Sequence, residues 1–417
     1  MKPLLRVPAG DLPAFTAQLR QALFFEAGAP AVLPVAGAEE PASEQLVAGF
    51  VPDDIAVVVE TSGSTDAPKR VMLTGAALRA SAFATERWFG GTHGQWLLAL
   101  PATYIAGIQV LVRSLVAGTA PAVMPEGGFT PKAFVETART MDPDLPWFTS
   151  LVPVQLARLV EAAADDRGVR AALGSFEAIL LGGQAAPAGL VERAAELGAR
   201  VHRTYGSSET AGGCVYDGRA LPGVGVRIVD GEVQLSGPSL ATGYLDDSDR
   251  TARAFTADAD GTRWYRTGDL GELVPDPDPE PAPELGPGRT WPDRLRITGR
   301  ADDVIISGGV KVALGEVERA VRSVAGYAGA VVLPVADAEW GERPAVVVER
   351  ADAAASVGRS APSETPASDD LAGLAAATDA AGLPPAGRPV RLLVLERMPL
   401  LASGKPDRRA IAAQLAE

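Results

Sequence analysis

"FEAILLGGQAAPAGLVERAAELGARVHRT", Phe176 to Thr204, decides the fold. Phe176–Leu181 is a short apolar run of strand length, and Gly182–Pro187 carries loop residues. Ala188–Leu197 has helical character, and Ala199–Thr204 returns to a strand. Strand, helix, strand is a β-α-β unit, whose two strands lie parallel. The same alternation precedes it: Ile55–Val59 (strand), Gly75–Phe89 (helix), Trp96–Pro101 (strand) and Ile105–Val116 (helix). The fold class is therefore α/β, with a largely parallel sheet flanked by helices on both faces.

Farther out the pattern changes. Residues 1–50 read as a short entry segment with a helical stretch at Ala14–Glu26. After Tyr205, the apolar pieces Val226–Val229 and Val233–Leu235 flank Asp230-Gly231, a hairpin signature that opens a small β-rich subdomain. Pro275–Pro292 (PDPDPEPAPELGPGRTWP) reads as a solvated excursion, and the Ala/Ser/Pro stretch Ala351–Asp369 as another. Between them lies an α+β segment, with a helix near Leu314–Val324 and strands near Ala328–Leu333 and Ala345–Glu349. A last strand, Val390–Leu395, precedes the basic loop SGKPDRR. The boundary falls near Arg300, giving a large N-terminal domain, 1–300, and a small C-terminal one, 301–417.

Composition narrows the function. A chain of 417 residues with 47% hydrophobic and 22% charged residues exceeds a single core. A net charge of -14, from 38 Lys+Arg against 52 Asp+Glu, argues against non-specific nucleic-acid binding and anionic membrane surfaces. It leaves room for an anionic small substrate at a local cation cluster. Cys214 is the one cysteine, so no intrachain disulfide forms. The N-terminus, MKPLLRVPAGDLPAF, is broken by Asp11 and three prolines where a secretion signal needs an apolar core. No apolar run approaches a membrane span, and a cytoplasmic location is expected. Two histidines and one cysteine rule out most zinc constellations, and no G-x-S-x-G elbow occurs.

Five stretches carry candidate chemistry. "ETSGSTDAPKRV", Glu60 to Val71, offers backbone amides, the hydroxyls of Thr61, Ser62, Ser64 and Thr65 around Gly63, and the cation Lys69. It lacks the second glycine of a Walker A loop, so a phosphate cradle and a polar turn both stay open. "TYGSSETAGG", Thr204 to Gly213, follows the second strand of the β-α-β unit, where ligands bind in open α/β sheets. Its Ser208 and Glu209 suit a phosphate oxygen and a phosphate-bound magnesium ion, or else a solvated turn. "WYRTGDLGEL" sets Asp269 between two glycines, as a ribose diol or a simple hairpin turn would require. "ITGRADDVIISGGVKVALGEVE", Ile297 to Glu318, and "PLLASGKPDRRAI", Pro399 to Ile411, could singly be solvated surface.

In order and spacing, from about Ala56 to Ala410, the five together resemble the acyl-adenylate-forming ligases: acyl- and aryl-CoA synthetases, peptide-synthetase adenylation domains and luciferases. That resemblance implies a large N-terminal domain and a small mobile C-terminal one that swivels between two half-reactions. It further implies that Thr61, Ser62, Gly63, Ser64, Thr65 and Lys69 hold the β- and γ-phosphates of ATP. Gly182 and Gly183 would border the adenine, and Tyr205 and Gly206 lie beside it. Ser208 would touch the α-phosphate, Glu209 hold Mg2+, and Asp269 and Arg300 bind the ribose. Asp302 is the implied hinge, and Lys405 would bridge the substrate carboxylate and the α-phosphate. The implied catalytic residues are Lys405, Glu209 and Lys69, with CoA as the thiol co-substrate and homodimerisation a family habit.

Within the family, the short N-terminal region resembles ligases of the menaquinone pathway in high-GC bacteria. So do "LPATYIAGIQVLVRSLVAGT" (Leu100–Thr119) and "TYGSSETAGGCVYDG" (Thr204–Gly218). The acid of those enzymes is o-succinylbenzoate. Another aryl- or fatty-acyl-CoA ligase, or a carrier-loading adenylation enzyme, shares the first reaction. A catalytically silent nucleotide-binding protein is the reading from another class. Three positions depart from the family pattern. Asp66 stands in the phosphate loop where glycine is usual, Tyr104 stands where a histidine precedes Gly107, and Lys311 sits where an arginine often gates the thiol.

Overall fold

Five consecutive residues, Ile55 to Val59, are fully buried, as expected of a strand covered on both faces. In the computed structural model of the chain they belong to the strand Ile55–Thr61, inside a six-stranded sheet. The structure describes residues 1–24, 29–37, 47–61, 68–125, 128–187, 189–277, 293–349, 368–401 and 405–416, and the counts below refer to these. That first sheet runs, edge to edge, Gly243–Tyr244, Lys69–Thr74, Ile55–Thr61, Ala31–Val35, Lys2–Pro8, Val47–Val51.

The N-terminal residues are thus no entry segment. They supply three of the six strands, with Lys2–Pro8 parallel to Ala31–Val35 and antiparallel to Val47–Val51. The reading missed them because AVLPV carries Pro34, which argues against an inner strand. The helix expected at Ala14–Glu26 runs Leu12–Leu23, with Asp11 accepting from the Ala14 amide; Glu26 is outside the described residues.

The β-α-β unit lies in a seven-stranded sheet, where Val201–Ser207, Phe176–Leu181, Trp147–Leu151, Gln95–Leu98 and Ala122–Val123 run parallel. Its helix is Leu190–Glu196, shorter than expected, and the strand expected at Trp96–Pro101 stops at Leu98. Two helices, Gly75–Trp88 and Ile105–Ala117, fill the space between the sheets. In the second, every residue from Gly107 to Ser114 is buried, so the helix is covered all round. Parallel strands with helical crossovers place all their carboxyl ends on one edge, and the sequence motifs follow from that edge.

A third sheet contains the expected hairpin, Gly225–Val229 with Glu232–Ser236, and the long strand Arg263–Pro275 paired with Asp293–Arg300. The fourth, formed by residues 304–395, has cores of its own around Val317, Val346 and Ile411. Among the described residues no helix is long and apolar enough to cross a membrane.

The excursion expected at Pro275–Pro292 needs correction at its start. Asp276 has a fully buried side chain, with one oxygen 2.7 Å from Arg219 Nε and the other 2.7 Å from Arg294 Nε. Composition marked this acid as solvated, but two arginines from neighbouring strands enclose it. Residues 278–292 are outside the described residues, as are 350–367 of the second stretch, whose Ser368 and Asp369 open the helix Ser368–Ala380. Replacing Asp276 by Ala would remove the carboxylate that Arg219 Nε and Arg294 Nε both face, and losing hydrogen bonds to a charged group costs about 1.5–3 kcal/mol. Urea unfolding of Asp276→Ala should register that loss; a change smaller than about 0.5 kcal/mol, the size of an ordinary surface substitution, would contradict the buried pairing.

Candidate active site

Gly182 and Gly183 leave the strand Phe176–Leu181 at the carboxyl edge of the seven-stranded sheet, the Gly182 amide donating to Leu151 O at 3.1 Å. A Cβ on Gly182 would sit 2.5 Å from Thr204 Oγ1, so no larger residue fits without displacing that side chain. Gly183 has φ +87°, and a Cβ there would lie 3.6 Å from Lys405 Cε. The Lys405 side chain, from the far end of the chain, thus reaches the edge that the β-α-β unit creates. Its loop is closed by the Leu400–Pro406 bridge and by Leu401 N donating to Lys405 O at 2.8 Å.

Around Lys405 stand two carboxylates and a second cation. Desolvation lowers the Lys405 ammonium below the usual lysine range, and Arg300 lowers it further, while Asp269 and Glu209 pull the other way. Asp269 and Arg300 are cross-strand partners, so register alone brings them together, with Arg300 Nη1 3.0 Å from Asp269 Oδ1. The other Asp269 oxygen accepts from the Tyr205 hydroxyl at 2.6 Å. Burial pushes the Asp269 carboxyl above the ordinary aspartate range, the Tyr205 and Arg300 contacts offsetting part of the rise. Arg300 Nε also donates to Asp302 Oδ1 at 2.8 Å, one residue into the turn Ala301–Asp303. Burial opposes ionisation of Asp302, yet Arg300 outweighs it and holds the carboxyl below its ordinary range.

Ser208 and Glu209 form a buried 3-10 turn between Val201–Ser207 and the antiparallel strand Gly212–Tyr216. Gly206 is required here for close backbone approach, since a Cβ would stand 2.1 Å from Gly212 O. The Glu209 main-chain oxygen accepts from Ala241 N at 2.8 Å, and Oε1 accepts from the Tyr244 hydroxyl at 2.9 Å. Glu209 has no ion-pair partner among the described residues, and no group of three potential metal ligands occurs among them. A lone buried carboxylate fits a magnesium ion that arrives already bound to phosphate.

Thr61 ends its strand directly opposite Lys69. Lys69 lines an open groove of about 400 Å³ with Glu60, Arg70, Tyr244 and Arg250. Ser62, Gly63, Ser64 and Thr65, with Asp66, are outside the described residues. Tyr104 precedes the helix Ile105–Ala117, and Lys311 is exposed on the strand Val310–Ala313.

Two residues escaped the sequence reading. One is Tyr244, whose Gly-Tyr context carries no sign of its acidic partner. The other is Arg113, detectable as the one charge in an apolar helix, IAGIQVLVRSLVA. Ile105, Gln109 and Arg113 share a helix face along the strand Gly212–Tyr216: Gln109 Cγ is 3.2 Å from a Cβ placed on Gly212, and Arg113 Nη2 is 3.4 Å from Tyr216 Oη. Arg113 is 6% exposed and its guanidinium carbon lies 4.7 Å from the Trp96 ring centre. It pairs with no carboxylate among the described residues, and its Nε has no hydrogen-bond partner.

The chain is similar to known proteins in sequence and in fold. A family profile described as "AMP-binding enzyme" matches residues 16–245. A probable 2-succinylbenzoate–CoA ligase of Mycobacterium tuberculosis is 36% identical over 99% of this chain and 98% of its own. The 2-succinylbenzoate–CoA ligase of Escherichia coli is 32% identical over 73% of this chain and 62% of its own. Among solved structures, wild-type E. coli MenE with a bound m phenylether-linked analogue of OSB-AMS superposes with a TM-score of 0.66 at 26% identity, covering 100% of this chain and 88% of the other. The profile spans more than half of the chain, including the sheets that hold Gly182, Gly183, Ser208 and Glu209. The chain belongs to the AMP-binding enzymes, the acyl-adenylate-forming ligases whose motifs it carries from Thr61 to Lys405.

Proposed function

We propose that this enzyme adenylates o-succinylbenzoate with ATP and transfers the acyl group to CoA, within menaquinone biosynthesis in the cytoplasm. One observation carries the reaction: Lys405 meets Gly183 at the sheet edge, beside Asp269, Arg300 and Glu209. The acid's carboxylate attacks the α-phosphorus of ATP, the bond to pyrophosphate breaks, and acyl-AMP forms. The CoA thiol then attacks the acyl carbon, and AMP leaves with the bonding pair.

In the first step anions approach one another, and fixed cations in a partly dry cleft stabilise the charge that develops. Lys405 bridges the carboxylate and the α-phosphate. Thr61–Thr65 and Lys69 hold the β- and γ-phosphates, and Ser208 the α-phosphate. Asp269 and Arg300 take the ribose, while Tyr205, Gly182, Gly183 and Gly206 frame the adenine. Magnesium supplies charge neutralisation at the phosphates, and Glu209 would hold it. Residues 301–417 turn about Asp302 between the steps, which removes Lys405 before the thiol arrives. Homodimerisation is part of the same family-based reading.

The names of the relatives support the choice of acid. o-Succinylbenzoate keeps one carboxylate free after the other is activated.

The direct test supplies ATP, magnesium and CoA with a panel of acids and follows pyrophosphate, AMP and thioester. o-Succinylbenzoate should lead; a hundredfold preference for a long-chain fatty acid, roughly 2.7 kcal/mol, would overturn the substrate and leave the reaction class standing.

A further expectation concerns pH. The ribose diol donates to ionised Asp269, and burial has raised that carboxyl. AMP affinity should therefore fall on acidification while ordinary aspartates are still ionised. Calorimetric titrations should show this fall in the wild type and a weak, flat profile in Asp269→Asn. Parallel profiles would contradict the assignment.

A further inference from the structure

Glu209 is a buried carboxylate with two unlike oxygens. Oε1 accepts from the Tyr244 hydroxyl at 2.9 Å, and Oε2 takes no hydrogen bond or ion pair among the described residues. Tyr244 reaches Glu209 from a different sheet: the strand Gly243–Tyr244 pairs with Lys69–Thr74, Tyr244 standing opposite Val71. One short strand thus joins the segment that begins at Lys69 to the turn that holds Glu209.

The phenol is rigidly mounted. Tyr244 N donates to Thr251 Oγ1 at 2.9 Å, and the ring packs beside Phe255. Gly243 has φ +154°, and a Cβ there would lie 2.4 Å from Thr251 Cγ2, so the turn into this strand accepts only glycine. Arg263 donates to Ala241 O at 2.6 Å and to Thr242 O at 2.7 Å, while Ala241 N bonds the Glu209 main chain. Every element around the Tyr244–Glu209 contact is fixed independently of it.

We propose that Tyr244 is a positioning residue: it occupies one oxygen of Glu209 so that the other is presented to the metal ion entering with the nucleotide. The role rests on the reading of Glu209 as the metal-holding carboxylate. A carboxylate gripped on one side keeps a single rotamer and loses less freedom on binding the ion, as outer-shell partners do at metal sites.

The test is Tyr244→Phe, which keeps the ring and removes the hydroxyl. Mn2+·ATP binding, read by electron paramagnetic resonance, should weaken about tenfold or more. The magnesium concentration for half-maximal adenylation should rise in parallel, while metal-free AMP affinity stays within about twofold of wild type, as for a residue that acts only through the metal. A purely structural phenol gives another pattern, with AMP and Mn2+·ATP weakening together or neither changing, and either result overturns the proposal. Glu209→Gln run alongside separates the layers. If it leaves Mn2+·ATP binding intact, Glu209 is not the metal-holding residue and both readings fall. If it weakens binding and Tyr244→Phe does not, only the positioning role is lost.

Discussion

Arg300 and Lys405 stand near each other at the carboxyl edge of the parallel sheet, where Asp269, paired with Arg300, and the nearby Glu209 charge offset part of their repulsion. Neither cation is local to that edge. Arg300 comes from the end of the strand paired with Arg263–Pro275, and Lys405 from a loop more than a hundred residues later. The Lys405 ammonium is lowered chiefly by desolvation, a cost that an arriving polyphosphate would relieve. A cleft that holds cations under such strain is prepared for an anionic substrate before one is present, despite a chain that is acidic overall.

The contacts of Arg300 tie this charge balance to chain geometry. Its guanidinium reaches back to Asp269 in the long strand and forward to Asp302 in the following turn. Beyond that turn Arg408 bonds Glu318 at 2.8 Å, and its Nη1 stands 3.9 Å from Asp303, in the helix that follows Lys405. The segment assigned as the hinge and the segment that delivers the lysine are thus linked by charge as well as by chain.

Much of this was legible in sequence because it is local. Phe176–Leu181 matched its strand residue for residue, the Asp230-Gly231 hairpin fell in place, and Gly182, Gly183, Ser208 and Glu209 all follow parallel strands. What escaped depends on pairing across distance. Lys2–Pro8 and Ala31–Val35 read as an entry segment because short strands with proline carry little periodic signal. Asp276 read as solvent-facing because nothing local reveals Arg219 and Arg294. Tyr244 needed a partner from another sheet, and Arg113 was visible as an oddity in an apolar helix without any sign of its surroundings.

The central claim is that Lys405 serves one half-reaction only. Losing its charge-assisted contact in a partly dry site costs about 3–4 kcal/mol, roughly a hundredfold or more in rate. The decisive measurement is Lys405→Ala assayed separately for each step. Adenylate formation from acid and ATP should nearly vanish, while supplied acyl-AMP and CoA should still give thioester at close to the wild-type rate. Comparable losses in both steps, with the fold intact by circular dichroism, would contradict the account.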